Sequence, residues 1–419
     1  MMLKTMTIKG NRMRLSSDSL SHHLSPSLAD NSVVCLMAPT ASGKTNLAYE
    51  LYDSGRYELI SVDSALVYRD MTVGTAKPNA AELARYPHHL VDIIDPMQSY
   101  SVAEFVSDVA RLIDSCHQNG KIPLLVGGTM MYYMALLDGL SPVPVSDDSV
   151  RARVEQWRQD EGISALYDYL GKVDAISHER LNATDTQRIT RAVEVYLQTN
   201  IPISDWQRQP KQALAHNPNQ QWHALAVMPD RPWLHTRIEQ RLDIMWREGL
   251  VEEVISLLER YPLTPSLPSM RCVGYRQVLE YLVQINHPVF EQSHLDKAQF
   301  YDAFAQSNLS SVESNEQDAT TQSGMTQTHL SVATDQTEAL ACQQMQNKAL
   351  YATRQLAKRQ YTWLRKVMQL SDTAAEQATV SSAAPSTSII GFDDMTASQN
   401  DKLILHSFIT MEQARAYLC

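Results

Sequence analysis

The chain has 419 residues, 44% hydrophobic and 20% charged, with a formal net charge of −11. That length allows two domains and a sizeable core, no apolar run is long enough for a membrane-spanning helix, and the acidic balance excludes a generally basic nucleic-acid coat while leaving room for a local basic face. The five scattered cysteines, Cys35, Cys116, Cys272, Cys342 and Cys419, form no CxxC pair, which points to a reducing compartment and away from structural zinc.

Residues 1–31 carry Lys4, Lys9, Arg12 and Arg14 among serines, without an apolar signal core, and read as a disordered leader. The apolar run Val33 to Met37 reads as a buried parallel strand. It leads through Ala38-Pro39-Thr40-Ala41-Ser42 into Gly43-Lys44-Thr45 and the helical Asn46 to Leu51. Strand, small-residue loop and helix in that order make a P-loop. Loop amides and the positive end of the helix would cradle phosphate, with Lys44 as a point charge and the Thr45 hydroxyl suited to Mg²⁺. Ala38 stands where the pattern usually has glycine, which requires its φ to stay negative.

Glu58 to Val62 reads as a second strand that exits at Asp63. A carboxylate there can hold Mg²⁺ through water or take a proton from a nucleophile; it can equally cap a turn. Lys77, in Gly74-Thr75-Ala76-Lys77-Pro78, is either a second cation near phosphate or a loop lysine. Ser101 and Glu104 form a capping box for a helix whose apolar face is Val102, Phe105, Val109, Ile113 and Cys116. Ile122 to Val126 is the next buried strand, leaving through Gly127-Gly128-Thr129. Strand exits on one edge of such a sheet are where ligands bind, so Asp63 and Thr129 are expected beside the P-loop. The glycines stand where an ATPase motor would carry an acid, which weakens an ATP-hydrolysing assignment.

Pro142 and Pro144 mark a boundary, and residues 147–207 are helical and polar, as expected of an inserted subdomain. Arg188 and Arg191 lie three apart there, as a phosphate clamp or as a face paired with Asp185 and Glu194. Leu225 to Met228 returns to the sheet, and one long helix is expected from Asp230 to Arg260, with Arg237 and Arg241 a turn apart. Residues 307–346 are rich in Ser, Thr and Gln, lack Lys, Arg and aromatics, and read as a disordered surface loop that could be removed at little cost. Lys348 to Lys366 then carries six Lys or Arg and no acid, with Tyr351, Tyr361 and Trp363 interleaved. That composition suits a nucleic-acid backbone or a solvated helix over a core. Within a tail from Ser371, residues 402–418 are expected to form a small strand and helix.

Taken together, APTASGKT (38–45), SVDSALVYRDMTVGTAKP (61–78), PLLVGGTMMY (123–132), QRITRAVEVY (187–196), RCVGYRQV (271–278) and ATRQLAKRQYTWLRK (352–366) resemble the bacterial tRNA dimethylallyltransferases. These enzymes prenylate the adenosine immediately 3′ of the anticodon. The similarity runs from Val33 to Met368, interrupted at residues 307–346. It implies an α/β fold with a P-loop NTPase-like parallel sheet, helices on both faces and an inserted helical domain. The divisions are leader 1–31, core 32–141, helical insertion 142–208, core 209–306, loop 307–346, basic helix 347–370 and tail 371–419. It also implies dimethylallyl diphosphate and a tRNA anticodon stem-loop as substrates, Mg²⁺ as cofactor, and a cytoplasmic monomer without membrane contact. By resemblance the diphosphate lies on Ala38, Pro39 and Thr40 to Thr45, with Arg237 as a second anion clamp. Asp63 is the base on the adenine amine, and Thr129 completes the catalytic pair. RNA contacts fall on Asp63, Ser64, Ala65, Leu66, Thr129, Arg151, on Gln187, Arg188, Ile189, Thr190 and Arg191, and on Arg271, Cys272, Val273, Gly274, Tyr275 and Arg276. A P-loop small-molecule kinase using ATP is the alternative, and a non-enzymatic RNA-binding P-loop protein a third; intact Gly43, Lys44, Thr45 and Asp63 speak against the last.

Overall fold

The computed structural model describes residues 28–305, 327–370 and 403–418. Six parallel strands form one sheet: β1 (Ser32–Met37), β2 (Tyr57–Val62), β3 (His88–His89), β4 (Ile122–Gly127), β5 (Gln221–Val227) and β6 (Leu403–Phe408), in the order β3-β2-β4-β1-β5-β6. β1, between β4 and β5, is wholly buried, which is why its sequence is an unbroken apolar run. One face packs on α1 (Lys44–Asp53) and the late helix α14 (Met411–Leu418). The other packs on α3 (Val102–Gln118), α4 (Met130–Leu137) and the end of the long helix α13 (Gln327–Met368). The expected capping box opens α3: Ser101 Oγ accepts from Glu104 N at 3.1 Å, and Ser101 N donates to the Glu104 carboxylate at 2.7 Å. A short helix, α2 (Ala80–Arg85), precedes β3.

The helical insert is α5 (Asp148–Val173), α6 (Ala175–Arg180), α7 (Thr186–Thr199) and α8 (Ile203–Arg208). It closes a core of its own around Val154, Leu166, Leu170, Ile189 and Val193. Its two linkers meet where Leu140 and Gln212 exchange backbone hydrogen bonds of 3.3 Å. A further helical layer stands over the carboxyl edge of the sheet: α9 (Arg231–Arg247), α10 (Leu250–Arg260), α11 (Tyr275–Gln284), α12 (Lys297–Ala303) and α13.

Two expectations need correction. The single helix from Asp230 to Arg260 is two, α9 and α10, because Gly249 adopts φ 90°, a left-handed conformation that ends one helix and redirects the next. The loop assigned to residues 307–346 is helical from Gln327 onward, and Ala341, Met345 and Ala349 are buried. Those three recur four residues apart, a helical stripe that the intervening polar residues do not interrupt. Removal of residues 310–342 would therefore cut into packed helix; residues 306–326 lie outside the described residues. The tail is not wholly peripheral: β6 and α14 form as expected within residues 402–418, and β6 extends the sheet beside β5. Of the leader, Leu28 is already buried in the core, and residues 1–27 lie outside the described residues. Among the described residues no helix is long and apolar enough to cross a membrane.

Gly127 ends β4 between Met37 of β1 and Val62 of β2. A Cβ there would stand 2.0 Å from Val62 O. Backbone inside a parallel ladder has no room to yield, so Gly127→Ala is expected to lower stability by about 3 kcal/mol or more, at or beyond the usual overpacking range. Thermal melting checks it; a melting temperature equal to that of the unaltered chain would contradict the packing described.

Candidate active site

The carboxyl ends of β1, β2 and β4 open into a cavity of about 530 Å³. Its walls bring together Thr40, Ala41, Lys44 and Thr45 of the P-loop, Asp63 to Leu66 after β2, Thr129 after β4, and Arg271 to Gly274. These stretches, far apart in sequence, converge with α9 and α13 at one edge of the sheet, as an open parallel sheet directs them to do.

The P-loop forms without the usual first glycine. Ala38 is not among the residues with positive φ; Ala41 is, at 62°, as is Gly43, at 91°. The amides of Ala41, Ser42 and Gly43 donate to no acceptor among the described residues, which leaves them for an anion. Burial, then the neighbouring Arg241 guanidinium, push the Lys44 ammonium down to about 8, with Asp63 pulling the other way. Arg241 is itself lowered by burial and by Arg237, and supported by Asp63. Two cations and one carboxylate in a shielded space leave excess positive charge, the condition for holding a diphosphate.

Asp63 caps a local turn and keeps one oxygen free of it. Its Oδ1 accepts from Ala65 N at 2.9 Å, a local turn, and its Oδ2 makes no hydrogen bond to the described residues. Thr129 Oγ1 accepts from Ser64 N at 3.0 Å and donates to Ser64 Oγ at 3.3 Å, so it fixes that turn from the neighbouring strand. Cys272 shares the wall, but burial and then Asp63 push its thiol up to about 12, so it stays protonated.

Four further residues shape the cavity or brace its walls; the sequence showed Arg237 and Arg241 as a pair of cations, but gave no sign of Gln360 or Glu253. Arg241, one turn beyond Arg237, places its guanidinium on the wall and donates to Thr75 O at 3.2 Å. Arg237 is exposed, braces the loop by donating Nε to Ala41 O at 3.1 Å, and lies over the Trp233 ring at 5.3 Å. Gln360, buried on α13, accepts from Thr40 N at 3.0 Å and donates to Gly128 O at 2.9 Å. A Cβ on Gly128 would stand 2.5 Å from the Gln360 amide nitrogen, which accounts for the second glycine of the strand exit. The Glu253 carboxylate accepts from the amides of Thr72, Val73 and Gly74 at 2.9, 2.7 and 3.1 Å and from the Tyr275 hydroxyl at 2.6 Å. It binds the segment after Asp63 to the 271–276 segment. The structure places Glu252 and Glu253 in the first turn of α10, where acids also complement the helix dipole.

Other expected residues lie elsewhere. Lys77 is buried away from the cavity wall, its Nζ donating to Tyr68 O at 2.5 Å and paired with Asp92. It fastens the loop after β2 rather than a phosphate. Arg151 and Gln187 to Arg191 stand on the insert: Arg188 is exposed and paired with Asp185, and Arg191 is tied to Ser146 Oγ and Pro144 O in the linker. Arg151 pairs with Asp148 at 3.2 Å. The side chains of Ile189 and Tyr275 are fully buried, so contacts from those two segments fall to their neighbours; Arg276 is exposed, over the Phe304 ring at 5.2 Å.

Residues 66–367 match a family model described as IPP transferase. The chain is 89% identical over 413 residues to a protein of Psychrobacter cryohalolentis named tRNA dimethylallyltransferase, covering 99% of this chain and 100% of that one. It is 46% identical over 341 residues to a protein of the same name from Acinetobacter baumannii, covering 81% of this chain and 92% of that one. A solved structure described as crystallographic snapshots of a eukaryotic dimethylallyltransferase acting on tRNA matches with a TM-score of 0.55 at 20% identity. That likeness covers 80% of this chain and 70% of that one, and is one of fold.

The lowered Lys44 gives a pH signature. An anion favours its charged form, so affinity for inorganic diphosphate is expected to fall as pH rises through about 8. Titration calorimetry against a Lys44→Met background, which carries the ligand's own ionisation, isolates the step; identical pH profiles would remove Lys44 from the anion site. Lys77→Met is expected to leave diphosphate affinity unchanged while lowering stability by roughly 1–3 kcal/mol, the cost of leaving Tyr68 O unsatisfied. A weakened diphosphate affinity with unchanged melting would reverse that assignment.

Proposed function

The chain belongs to the IPP transferase family of tRNA-prenylating enzymes, and from that premise we propose that this cavity joins dimethylallyl diphosphate to an extruded adenine of the anticodon loop. The observation that carries this assignment is the convergence of an anion cradle and a carboxylate with one unbonded oxygen in a single cavity. The family match removes the kinase alternative, and the P-loop is compatible with that, because such a loop recognises a diphosphate and not an adenine.

The adenine amine is a poor nucleophile because its lone pair is delocalised into the ring. The allylic carbon compensates if the leaving diphosphate is stabilised. The new C–N bond forms between the exocyclic amine and the allylic carbon as the C–O bond to diphosphate breaks. Lys44, Arg241 and the free loop amides hold the charge that develops on the leaving oxygen. Asp63 Oδ2 takes the proton released from the amine. Thr129, holding the Asp63 turn through Ser64, acts as a positioning residue. Ile238, Leu242 and Met245 of α9, beside Arg241 on the same wall, supply an apolar surface for the five-carbon group.

The donor set fits a hard cation. Ser61 Oγ is buried without a partner and lines the cavity with Thr45 and Asp63, an all-oxygen group of the kind Mg²⁺ takes. Thr45 and Ser61 would hold the ion, leaving Asp63 Oδ2 for the proton; when bound, the ion would offset diphosphate charge.

An adenine stacked in a tRNA loop cannot reach this depth and must turn out of the stack, which costs least in an unpaired loop. The substrate proposed is therefore the adenosine immediately 3′ of the anticodon. Arg271, Arg276 and the exposed cations of α13 lie at hand for its phosphates, with Arg151 and Arg188 on the insert. The enzyme is proposed to act as a cytoplasmic monomer.

Asp63→Asn removes proton acceptance while keeping size and the turn to Ala65. Single-turnover prenyl transfer is expected to slow by about 10²- to 10⁴-fold, the usual loss with a general base, while diphosphate affinity and melting stay near those of the unaltered chain. A full single-turnover rate would falsify the base assignment and leave Asp63 as a turn residue.

A further inference from the structure

Two large apolar side chains are exposed at the mouth of the cavity. Met131 is 55% exposed although the rest of α4 is buried, and Trp363 of α13 is 37% exposed. Both line the cavity, and α4 packs against α13 there. On α13, Leu356, Arg359, Gln360 and Trp363 recur at helical spacing along that wall, so the face that grips the P-loop through Gln360 ends outward in the indole. Lys366 Nζ lies 5.1 Å from the Trp363 ring centre.

Charge says what such a surface receives. On this helix Lys348 pairs with Glu280 at 2.6 Å, and Arg354 pairs with Glu239. Lys358, Arg359, Arg365 and Lys366 are exposed and have no acidic partner among the described residues. In a chain of formal net charge −11, unpaired cations grouped around an exposed indole favour a polyanion that also carries flat aromatic groups. Lone exposed apolar residues are ordinary on protein surfaces; an indole and a thioether on two helices, at the mouth of a catalytic cavity and ringed by cations, are not a scattered pair.

We propose that Trp363 and Met131 form the platform on which a nucleobase of the anticodon loop stacks at the mouth of the cavity, while the free cations of α13 hold the flanking phosphates. The inference rests on the tRNA-prenylating function above and adds a base-binding site to it. The base is either the extruded adenine on its way in or its unextruded neighbour; both present the same π-face.

The test uses the full-length protein and an unmodified anticodon stem-loop RNA, without dimethylallyl diphosphate, so that binding is read apart from chemistry. Trp363→Ala is expected to weaken RNA affinity roughly 5- to 150-fold, the range for losing one stacked base, with affinity for inorganic diphosphate and melting temperature unchanged. Trp363→Phe, which keeps an aromatic face, is expected to restore most of that loss. RNA is expected to quench tryptophan emission of the unaltered protein by an increment absent in Trp363→Phe. Stem-loops abasic at the target adenosine, or at its neighbour, identify the stacked base: the increment disappears with one of the two. An increment that survives both abasic RNAs, or a Trp363→Ala protein that binds RNA as the unaltered one does, overturns the platform. Prenyl transfer by the unaltered protein is scored separately; its absence would remove the function while leaving the binding result to stand or fall alone.

Discussion

Everything at the carboxyl edge of the sheet depends on one unbalanced group of charges. Lys44 and Arg241 are held in a shielded cavity with Asp63 acting on both, and both are shifted toward neutrality by burial and by the crowding of cations. Burying such groups without a counterion is costly, and the protein offers one carboxylate for the two. An entering diphosphate supplies the missing charge and favours the protonated form of Lys44. The same imbalance serves the reaction, because the charge that must be held on the departing diphosphate develops where the cations already stand.

That arrangement is kept open by side chains whose own chemistry is modest. Gln360 spans the P-loop and the exit of β4 with a neutral amide, and Gly128 has no Cβ because that amide occupies the space. Glu253 gathers three consecutive amides and the Tyr275 hydroxyl, so the segment carrying Asp63 and the segment carrying Arg271 share one anchor. Lys77, paired with Asp92 and donating to Tyr68 O, secures the same segment from its other side. The cradle, Asp63 and α13 are thus linked mechanically, although the residues that line the cavity and those that hold them are different.

Much of this was legible before any coordinates. Buried parallel strands read as uninterrupted apolar runs, so β1, β2 and β4 and their exits could be placed, and with them the P-loop, Asp63 and Thr129. What stayed hidden depends on partner choice. Arg237 and Arg241 lie on one helical face, and only the way α9 packs sends the second into the cavity and the first against Ala41 O. A glutamine among six Lys and Arg residues, or a glutamate in an acidic first turn, carries no local sign of the backbone it will meet. The helix over residues 327–346 escaped notice because Ala341, Met345 and Ala349 make a stripe too slight to stand out from a Ser, Thr and Gln background. Gly249 was visible, but one glycine within a helical pattern is tolerated at a modest cost and need not end the helix.

The most direct measurement of the central claim is a paired label-transfer experiment. The full-length protein is incubated with unmodified tRNA and either dimethylallyl diphosphate labelled in the prenyl group or ATP labelled in its terminal phosphate, and the RNA is digested to nucleosides. A cavity in which Lys44 and Arg241 hold a diphosphate leaving group beside Asp63 predicts prenyl label on one adenosine next to the anticodon and no phosphate label on any acceptor. Terminal phosphate transferred from ATP, or prenyl label absent from the RNA, would contradict it.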